Sequence, residues 1–420
     1  MTRLAVIGAG ITGVSTASSL MDRGLDVTLF DRNRYAAMQT SFANGGQLSA
    51  SNAETWNRWA TVFKGMRWML TRGAPLLVNP APSWHKYSWM AEFIAAIPQY
   101  RDNTIATARM AIAARGLLRE KAARYGFDFD AEDRGILHIY TDRAEFAHAG
   151  RVTALLAEAG LTRRAVTPEE IRSLEPALSG DFHGGYYTDS DFTGDIHRYT
   201  MGLAQGIARD GTDLRFGTEI EGLTHGPDGI CVTWTRGADR QSELFDAIVI
   251  CAGVESRRFA AMLGDRVNVY PVKGYSITVR LDDEASQQAA PWVSLLDDQA
   301  KIVTSRLGRD RFRIAGTAEF NGTNLDIRDD RIRPLVAWCE RFFPGVSTEH
   351  AIPWAGLRPM MPNMMPRVGP GRRPRVFYNT GHGHLGWTLS AATAEMVAEA
   401  VTADATLAPA RPHALRMAAE

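Results

Sequence analysis

Cysteine is scarce in this chain: three in 420 residues, at Cys231, Cys251 and Cys339. No two form a C-x-x-C pair, and none stands at a Cys/His spacing suited to zinc. That argues against a disulfide framework or metal centre and for a reducing compartment. Long apolar runs are missing too, so no segment reads as a transmembrane helix. Neither sign of charge prevails, since 47 basic side chains meet 47 acidic ones. Without a basic field, no nucleic-acid partner is expected. No low-complexity tract or internal repeat occurs, and because Met1-Thr2-Arg3 runs straight into an apolar stretch no signal peptide is expected. The expectation is a globular protein of about two or three domains. It would be cytoplasmic, or held peripherally on the inner face of the cytoplasmic membrane.

What is present starts at once. Leu4, Ala5, Val6 and Ile7 form an apolar strand running into Gly8-Ala9-Gly10-Ile11-Thr12-Gly13, a G-x-G-x-x-G sequence followed by a helix pattern. Gly8 permits the tight turn, Gly10 lets the backbone approach a pyrophosphate, and Gly13 lets helix and strand pack closely. The bare N–H groups at the helix start favour phosphate. A second strand, Val27-Thr28-Leu29-Phe30, ends in Asp31, close to the ~20-residue offset of a carboxylate that binds a ribose hydroxyl. Together these predict a dinucleotide site. A nicotinamide enzyme would continue in alternating strands and helices. After Arg32 this chain instead gives Gln39-Thr40-Ser41-Phe42-Ala43-Asn44-Gly45-Gly46-Gln47, a small, polar loop suited to close backbone approach to a flat ligand.

From Trp56 to Ile97 aromatic and apolar residues recur near helical spacing: Trp56, Trp59, Phe63, Met66, Trp68, Met69 and Leu70, then Trp84, Tyr87, Trp89, Met90, Phe93 and Ile94. Arg58, Lys64, Arg67 and Arg72 are interleaved. Two readings stand: an interfacial element meeting a membrane quinone through 56–94, or aromatics packing helices onto the protein's own core. Helices are expected over 104–125, 144–159 and 193–210, and from Thr167-Pro168-Glu169-Glu170. Strands are expected at 135–140, around Tyr186 and Tyr187, at 214–216, 218–220 and 230–234, and as one buried run from Phe245 to Ala252-Gly253. Alternating runs at 272–279, 301–304 and 311–316 suggest a largely antiparallel sheet. A last strand, 375–379, leads through Thr380-Gly381-His382-Gly383 into a helix over 388–401.

These residues resemble the FAD-dependent D-amino acid oxidase superfamily, and within it the bacterial D-amino acid dehydrogenase branch. The resemblance spans nearly the whole chain. It rests on the N-terminal glycines, Thr40-Ser41 with Asn44-Gly45-Gly46-Gln47-Leu48-Ser49, and Lys64 to Pro75. It continues in Tyr270-Pro271-Val272-Lys273-Gly274-Tyr275-Ser276, Trp354-Ala355-Gly356-Leu357-Arg358-Pro359-Met360, and Asn379-Thr380-Gly381-His382-Gly383-His384-Leu385-Gly386-Trp387-Thr388. It implies an α/β fold: a Rossmann-type FAD-binding domain from 1–50, 191–260 and 350–410. Interleaved with it would be an α+β substrate-binding domain from 51–190 and 261–349, built on a mixed, largely antiparallel sheet.

By the same resemblance, FAD would lie against Val6 to Gly13 and Phe30 to Arg32, then run along Thr40, Ser41, Asn44, Gly45 and Gln47. It would also meet Ile220, Ala252, Gly253, Gly356, Arg358, and Gly381, His382, Gly383, Leu385, Gly386, Trp387 and Thr388. Arg358 would clamp the substrate carboxylate, for which a planar guanidinium is suited; the other reading is a structural arginine bridging two domains. Tyr275 reads as pocket lining or as core, Lys273 is equally undecided, and His382 reads as a proton shuttle or as a turn residue. The implied activity is oxidative deamination of D-amino acids by hydride transfer from Cα to flavin N5, with a quinone or other acceptor. A secondary-amine specialist, or a FAD subunit of a larger electron-transfer or tRNA-modifying complex, stands as the alternative. Asn363-Met364-Met365-Pro366 departs from an Asp-Gly-Thr-Pro-like turn, and its methionines are expected to make the pocket rim apolar.

Overall fold

The computed structural model describes residues 2–69, 71 and 74–407. Leu70 and Arg72 of the aromatic segment, and 408–410 of the last nucleotide-domain segment, lie outside the described residues.

Apolar residues on both faces of the first strand decide the architecture. Leu4 and Val6 point to one side and Ala5 and Ile7 to the other, and all four are buried. Arg3–Ile7 is therefore central, pairing in parallel with Asp26–Asp31 and Ala247–Ile250. Val376–Thr380 and Asp213–Phe216 extend this sheet in parallel, and Arg367–Pro370 closes one edge antiparallel. On one face Leu4, Val6, Leu29 and Val249 share a core with residues of the helices Ile11–Met21, Tyr100–Tyr125, Ile196–Arg209 and Gly386–Thr402. On the other, Ala5, Ile7, Phe30 and Ile250 pack beneath a three-stranded antiparallel sheet, Glu219–His225, Ile230–Arg236 and Asp239–Phe245. The fold is α/β, with helices on one face of a mostly parallel sheet and strands on the other.

The run expected as one strand from Phe245 onward is two. Asp239–Phe245 pairs antiparallel with Ile230–Arg236, and the chain leaves that sheet at Asp246, whose carboxylate accepts the Arg3 N–H at 2.7 Å. Ala247–Ile250 then enters the parallel sheet. Continuous apolar sequence hid the corner. The helix expected from Thr193 starts at Ile196, because the Asp195 carboxylate caps the N–H groups of His197 and Arg198.

The second sheet is larger. Its order is Ile352–Met360, Tyr270–Arg280, Arg311–Phe320, Ile302–Leu307, Ser294–Asp297, Ile136–Tyr140, Gly184–Thr188 and Arg164–Val166, with Leu76–Val78 added beside Arg311–Phe320. Most neighbours are antiparallel; Ser294–Asp297 with Ile136–Tyr140, and Leu76–Val78 with Arg311–Phe320, are parallel. Two placements cut across the sequence segments. The strand Ile352–Met360, which carries Arg358, pairs into this larger sheet. The helix Tyr100–Tyr125 buries Ala114, Leu118 and Ala122 against the first sheet's helices, where small side chains allow close approach.

Candidate active site

A cavity of about 1000 Å³ runs from the glycine-rich turn to the larger sheet. The undecided Lys273 does not border it; of the residues assigned to FAD or to the chemistry, all do except Val6, Ala9 and Gly13. Those three support it from behind. Val6 is core, and the Ala9 N–H donates to Asp31 Oδ2 at 2.6 Å. A Cβ on Gly13 would lie 1.7 Å from the Gly8 carbonyl oxygen, so helix and turn meet only because residue 13 has none. Gly8 itself holds φ +104°, which favours glycine, and donates to Phe30 O at 2.8 Å. Asp31 is fixed before any ligand arrives, because Oδ1 accepts from Asn33 N at 2.7 Å and Asn33 Nδ2 at 2.8 Å. A strand-end carboxylate beside a glycine turn and a bare helix start fits an adenine dinucleotide.

The 40–47 loop is tied to the larger sheet along its length. Ser276 Oγ donates to Ala43 O at 2.7 Å, Ser305 Oγ to Gly45 O at 2.7 Å, and Arg313 Nη1 to Asn44 O at 3.0 Å. Thr40 Oγ1 donates to Leu357 O at 2.8 Å, one residue before Arg358. Ser41 Oγ accepts the Ile11 N–H at 3.0 Å, joining the same loop to the nucleotide cradle. Gln47 Nε2 donates to Ser294 Oγ and Leu295 O, which leaves Gln47 Oε1 buried without a partner. The loop is one rigid seam between two sheets.

Arg358 stands at the far end. Its Nη1 donates to Thr317 O at 2.9 Å, and Nη2 lies 3.5 Å from Gly316 O. No carboxylate among the described residues lies within ion-pairing distance of it, and burial alone lowers its pKa to about 10. It therefore stays protonated, a cation facing a cavity with two carbonyls for company. Tyr275 is not brought to it. The strand alternates, so Gly274 and Ser276 face the loop and guanidinium while the Tyr275 ring joins the core behind. Its hydroxyl donates to Glu319 Oε2 at 2.6 Å, and burial followed by that carboxylate raises its pKa. Lys273 is a buried partner of the same Glu319, 3.2 Å away.

His382 turns towards the helix Gly386–Thr402, with Nε2 2.9 Å from Thr393 Oγ1. Thr393 spends its own hydrogen on helix carbonyls, so the imidazole is the donor. Burial lowers the His382 pKa to about 3, and the ring is neutral and structural. His384 was missed although it stands in the same motif. It stacks on Trp56 with centroids 4.5 Å apart, and both ring nitrogens lack hydrogen-bond partners. Burial first, then the Arg358 charge, lowers its pKa to about 3. A further polar wall was also missed: Asp298 accepts from Tyr140 Oη at 2.7 Å and pairs with Lys301 at 3.0 Å. Nothing local in the sequence joins those residues. The methionines at 364 and 365 do not line the cavity, contrary to expectation. A turn with φ +61° at Met364 tucks that side chain into the core with Trp89 and Tyr270, and Met365 Sδ accepts from Thr107.

A pH dependence follows from the imidazoles. His138, pushed down to about 4 by burial and then Arg163, joins His382 and His384 in remaining neutral when folded. In the unfolded chain each takes a proton near 6.5. Stability is thus fully present above that value and is lost progressively as pH falls towards about 3 to 4. Thermal unfolding at pH 7.5, 6 and 5 should show a falling Tm; a flat profile would contradict the neutral assignment.

The chain matches a family model described as FAD dependent oxidoreductase (DAO) over residues 3–400. It is 61% identical over 404 residues to "D-amino acid dehydrogenase 3" of Mesorhizobium japonicum, covering 96% of this chain and 98% of that one. A D-amino acid dehydrogenase of Paramagnetospirillum magneticum is 39% identical, with 95% of each chain covered. Among solved structures, glycine oxidase from Geobacillus kaustophilus superposes with a TM-score of 0.74 at 20% identity, covering 96% of this chain and 95% of that one. L-proline dehydrogenase from P. horikoshii gives 0.74 at 17%, covering 96% and 93%. At those identities the structural likeness speaks for the fold.

Proposed function

The chain belongs to the family of FAD-dependent oxidoreductases, and from that premise we propose that it oxidises D-amino acids to 2-oxo acids and ammonia. Electrons would pass to a quinone or other carrier rather than mainly to O2. The observation that carries the substrate class is Arg358, a cavity-wall guanidinium whose hydrogen-bond partners among the described residues are two carbonyl oxygens. A ligand carboxylate completes it, and the guanidinium fork can hold both carboxylate oxygens. The names of the relatives supply the D-amino acid.

The residues present fit FAD. Gly8, Gly10 and the start of the helix Ile11–Met21 suit its pyrophosphate, and Asp31 suits a ribose hydroxyl. Thr40 to Gln47 and Gly381 to Leu385 would flank the isoalloxazine. When bound, FAD supplies the acceptor for the hydride leaving Cα. The protein's part is orientation: Arg358 fixes the carboxylate and so limits where Cα can lie. The amine must be uncharged for the Cα–H pair to leave. Three carboxylates that border the cavity are not free to hold an ammonium, since Asp298 pairs with Lys301, Glu54 with Arg58 and Glu145 with Lys64. The imino acid then takes up water, giving the 2-oxo acid and ammonia.

Initial rates with D-alanine, D-proline and sarcosine, using an artificial dye and then O2, test this reading. D-Alanine should be oxidised fastest, and the dye should outpace O2. Preference for D-proline or sarcosine would move the enzyme to secondary amines, and equal rates with O2 would remove the carrier assignment.

For the acceptor, the helix Trp59–Met69 supplies the support. It buries no residue; Val62 and Lys64 border the cavity, while Trp59 and Phe63 are 54% and 60% exposed. Trp84 is 83% exposed, whereas Trp89 and Trp56 pack inward, as the core-packing reading of the aromatic segment expects of them. No helix among the described residues is long and apolar enough to cross a membrane. A bilayer-surface contact through this helix would bring the cavity to a quinone. The double variant Trp59→Glu/Phe63→Glu should stop co-sedimentation with anionic liposomes while keeping dye activity. A parent protein that never pellets removes the membrane contact.

A further inference from the structure

The carboxylate end of the cavity holds a strained residue. Thr317 has φ +59°, in the left-handed region where a β-branched side chain is a genuine outlier. It sits where the ladder between Tyr270–Arg280 and Arg311–Phe320 slips. Tyr275 faces Gly316 but Lys273 faces Glu319, so Thr317 and Ala318 together oppose Gly274. This bulge turns the Thr317 carbonyl onto Arg358 Nη1 at 2.9 Å. Across from it Gly274 leaves room, since a Cβ there would lie 2.3 Å from the guanidinium. Thr317 is 6% exposed and borders the cavity, yet its hydroxyl has no hydrogen-bond partner. A buried unpaired hydroxyl is destabilising. Backbone strain of this kind persists where the surroundings over-determine it, most often at ligand clamps. Two unfavourable features in one residue, both beside the unpaired Arg358, point to a ligand-binding role for this corner of the cavity.

We propose that Thr317 is the second anchor of the substrate carboxylate. Its carbonyl aims the Arg358 guanidinium, and its hydroxyl donates to the carboxylate held there. The inference rests on reading Arg358 as the carboxylate clamp. A guanidinium alone accepts an anion in several poses; a hydroxyl fixed two strands away, beyond Gly274, selects one.

Thr317→Val keeps the branching and the strained φ and deletes the hydroxyl, whereas Thr317→Ser keeps the hydroxyl. The holoenzymes are titrated with propionate, read from the flavin spectrum, and assayed with D-alanine. Thr317→Val should weaken propionate binding and raise KM about tenfold, with kcat little changed and Tm equal or higher. Thr317→Ser should restore both affinities. Wild-type affinities in Thr317→Val, or a fall in Tm with no change in KM, would make Thr317 a structural residue and overturn the proposal. If the wild-type enzyme neither binds propionate nor oxidises D-alanine, the clamp reading itself fails, and this inference falls with it.

Discussion

Arg358→Ala should raise KM for D-alanine by two to three orders of magnitude while the protein stays yellow. Breaking a buried charge pair by removing one partner costs about 3–5 kcal/mol, and each 1.4 kcal/mol is about tenfold. Arg358 makes no contact with the glycine-rich turn; its hydrogen bonds go to Thr317 and Gly316. Flavin retention should therefore be unaffected. Arg358→Lys should recover little, because an ammonium reaches one carboxylate oxygen and loses the fork. Steady-state kinetics with a dye acceptor, alongside the flavin spectrum, check both halves. An unchanged KM would return Arg358 to the structural reading, a cation bridging strands.

The second large effect separates packing from ligand space in the glycine-rich turn. A Cβ on Gly13 would sit 1.7 Å from Gly8 O, which is backbone and cannot swing aside. A Cβ on Gly10 would meet only Ser41 Oγ, at 3.4 Å. Gly13→Ala should thus lower the Tm of the apoprotein and leave it unable to take up added FAD. Gly10→Ala should leave the apoprotein's Tm near wild type and weaken FAD binding about 10–100-fold, the scale of overpacking against a ligand. Apoprotein titrated with FAD, and scanned thermally without it, separates the two. If Gly10→Ala binds FAD normally, the pyrophosphate does not approach the backbone at residue 10.

The contrast between these two sites marks what the sequence could reveal. The nucleotide cradle is local: strand, glycines, helix and Asp31 fall within one short segment, so spacing alone locates it. The carboxylate end is not local. Arg358, Gly274 and Thr317 meet because three strands pair, and the bulge at Thr317 carries no glycine to announce its positive φ. Tyr275 shows the cost of an unknown face. Strand alternation was legible at 272–279, but which side held the cavity depended on Ser276 reaching the 40–47 loop. The adjacent histidines divide for the same reason, His382 turning to Thr393 and His384 to Trp56. The aromatic spacing over 56–97 likewise read as helical, but which rings would be covered emerged only with the helices Trp59–Met69 and Trp84–Ala95.

A flavin and an unpaired guanidinium sharing one cavity is the arrangement from which we propose a D-amino acid substrate. The most direct test of that proposal is to purify the holoprotein and add D-alanine, then L-alanine to a second sample, without oxygen. The flavin band near ~450 nm, characteristic of the oxidised cofactor, should bleach with the D-enantiomer and persist with the L-enantiomer. A yellow protein that L-alanine bleaches, or that no D-amino acid bleaches, would keep the fold and contradict the substrate; a colourless one that binds no added FAD would contradict the site.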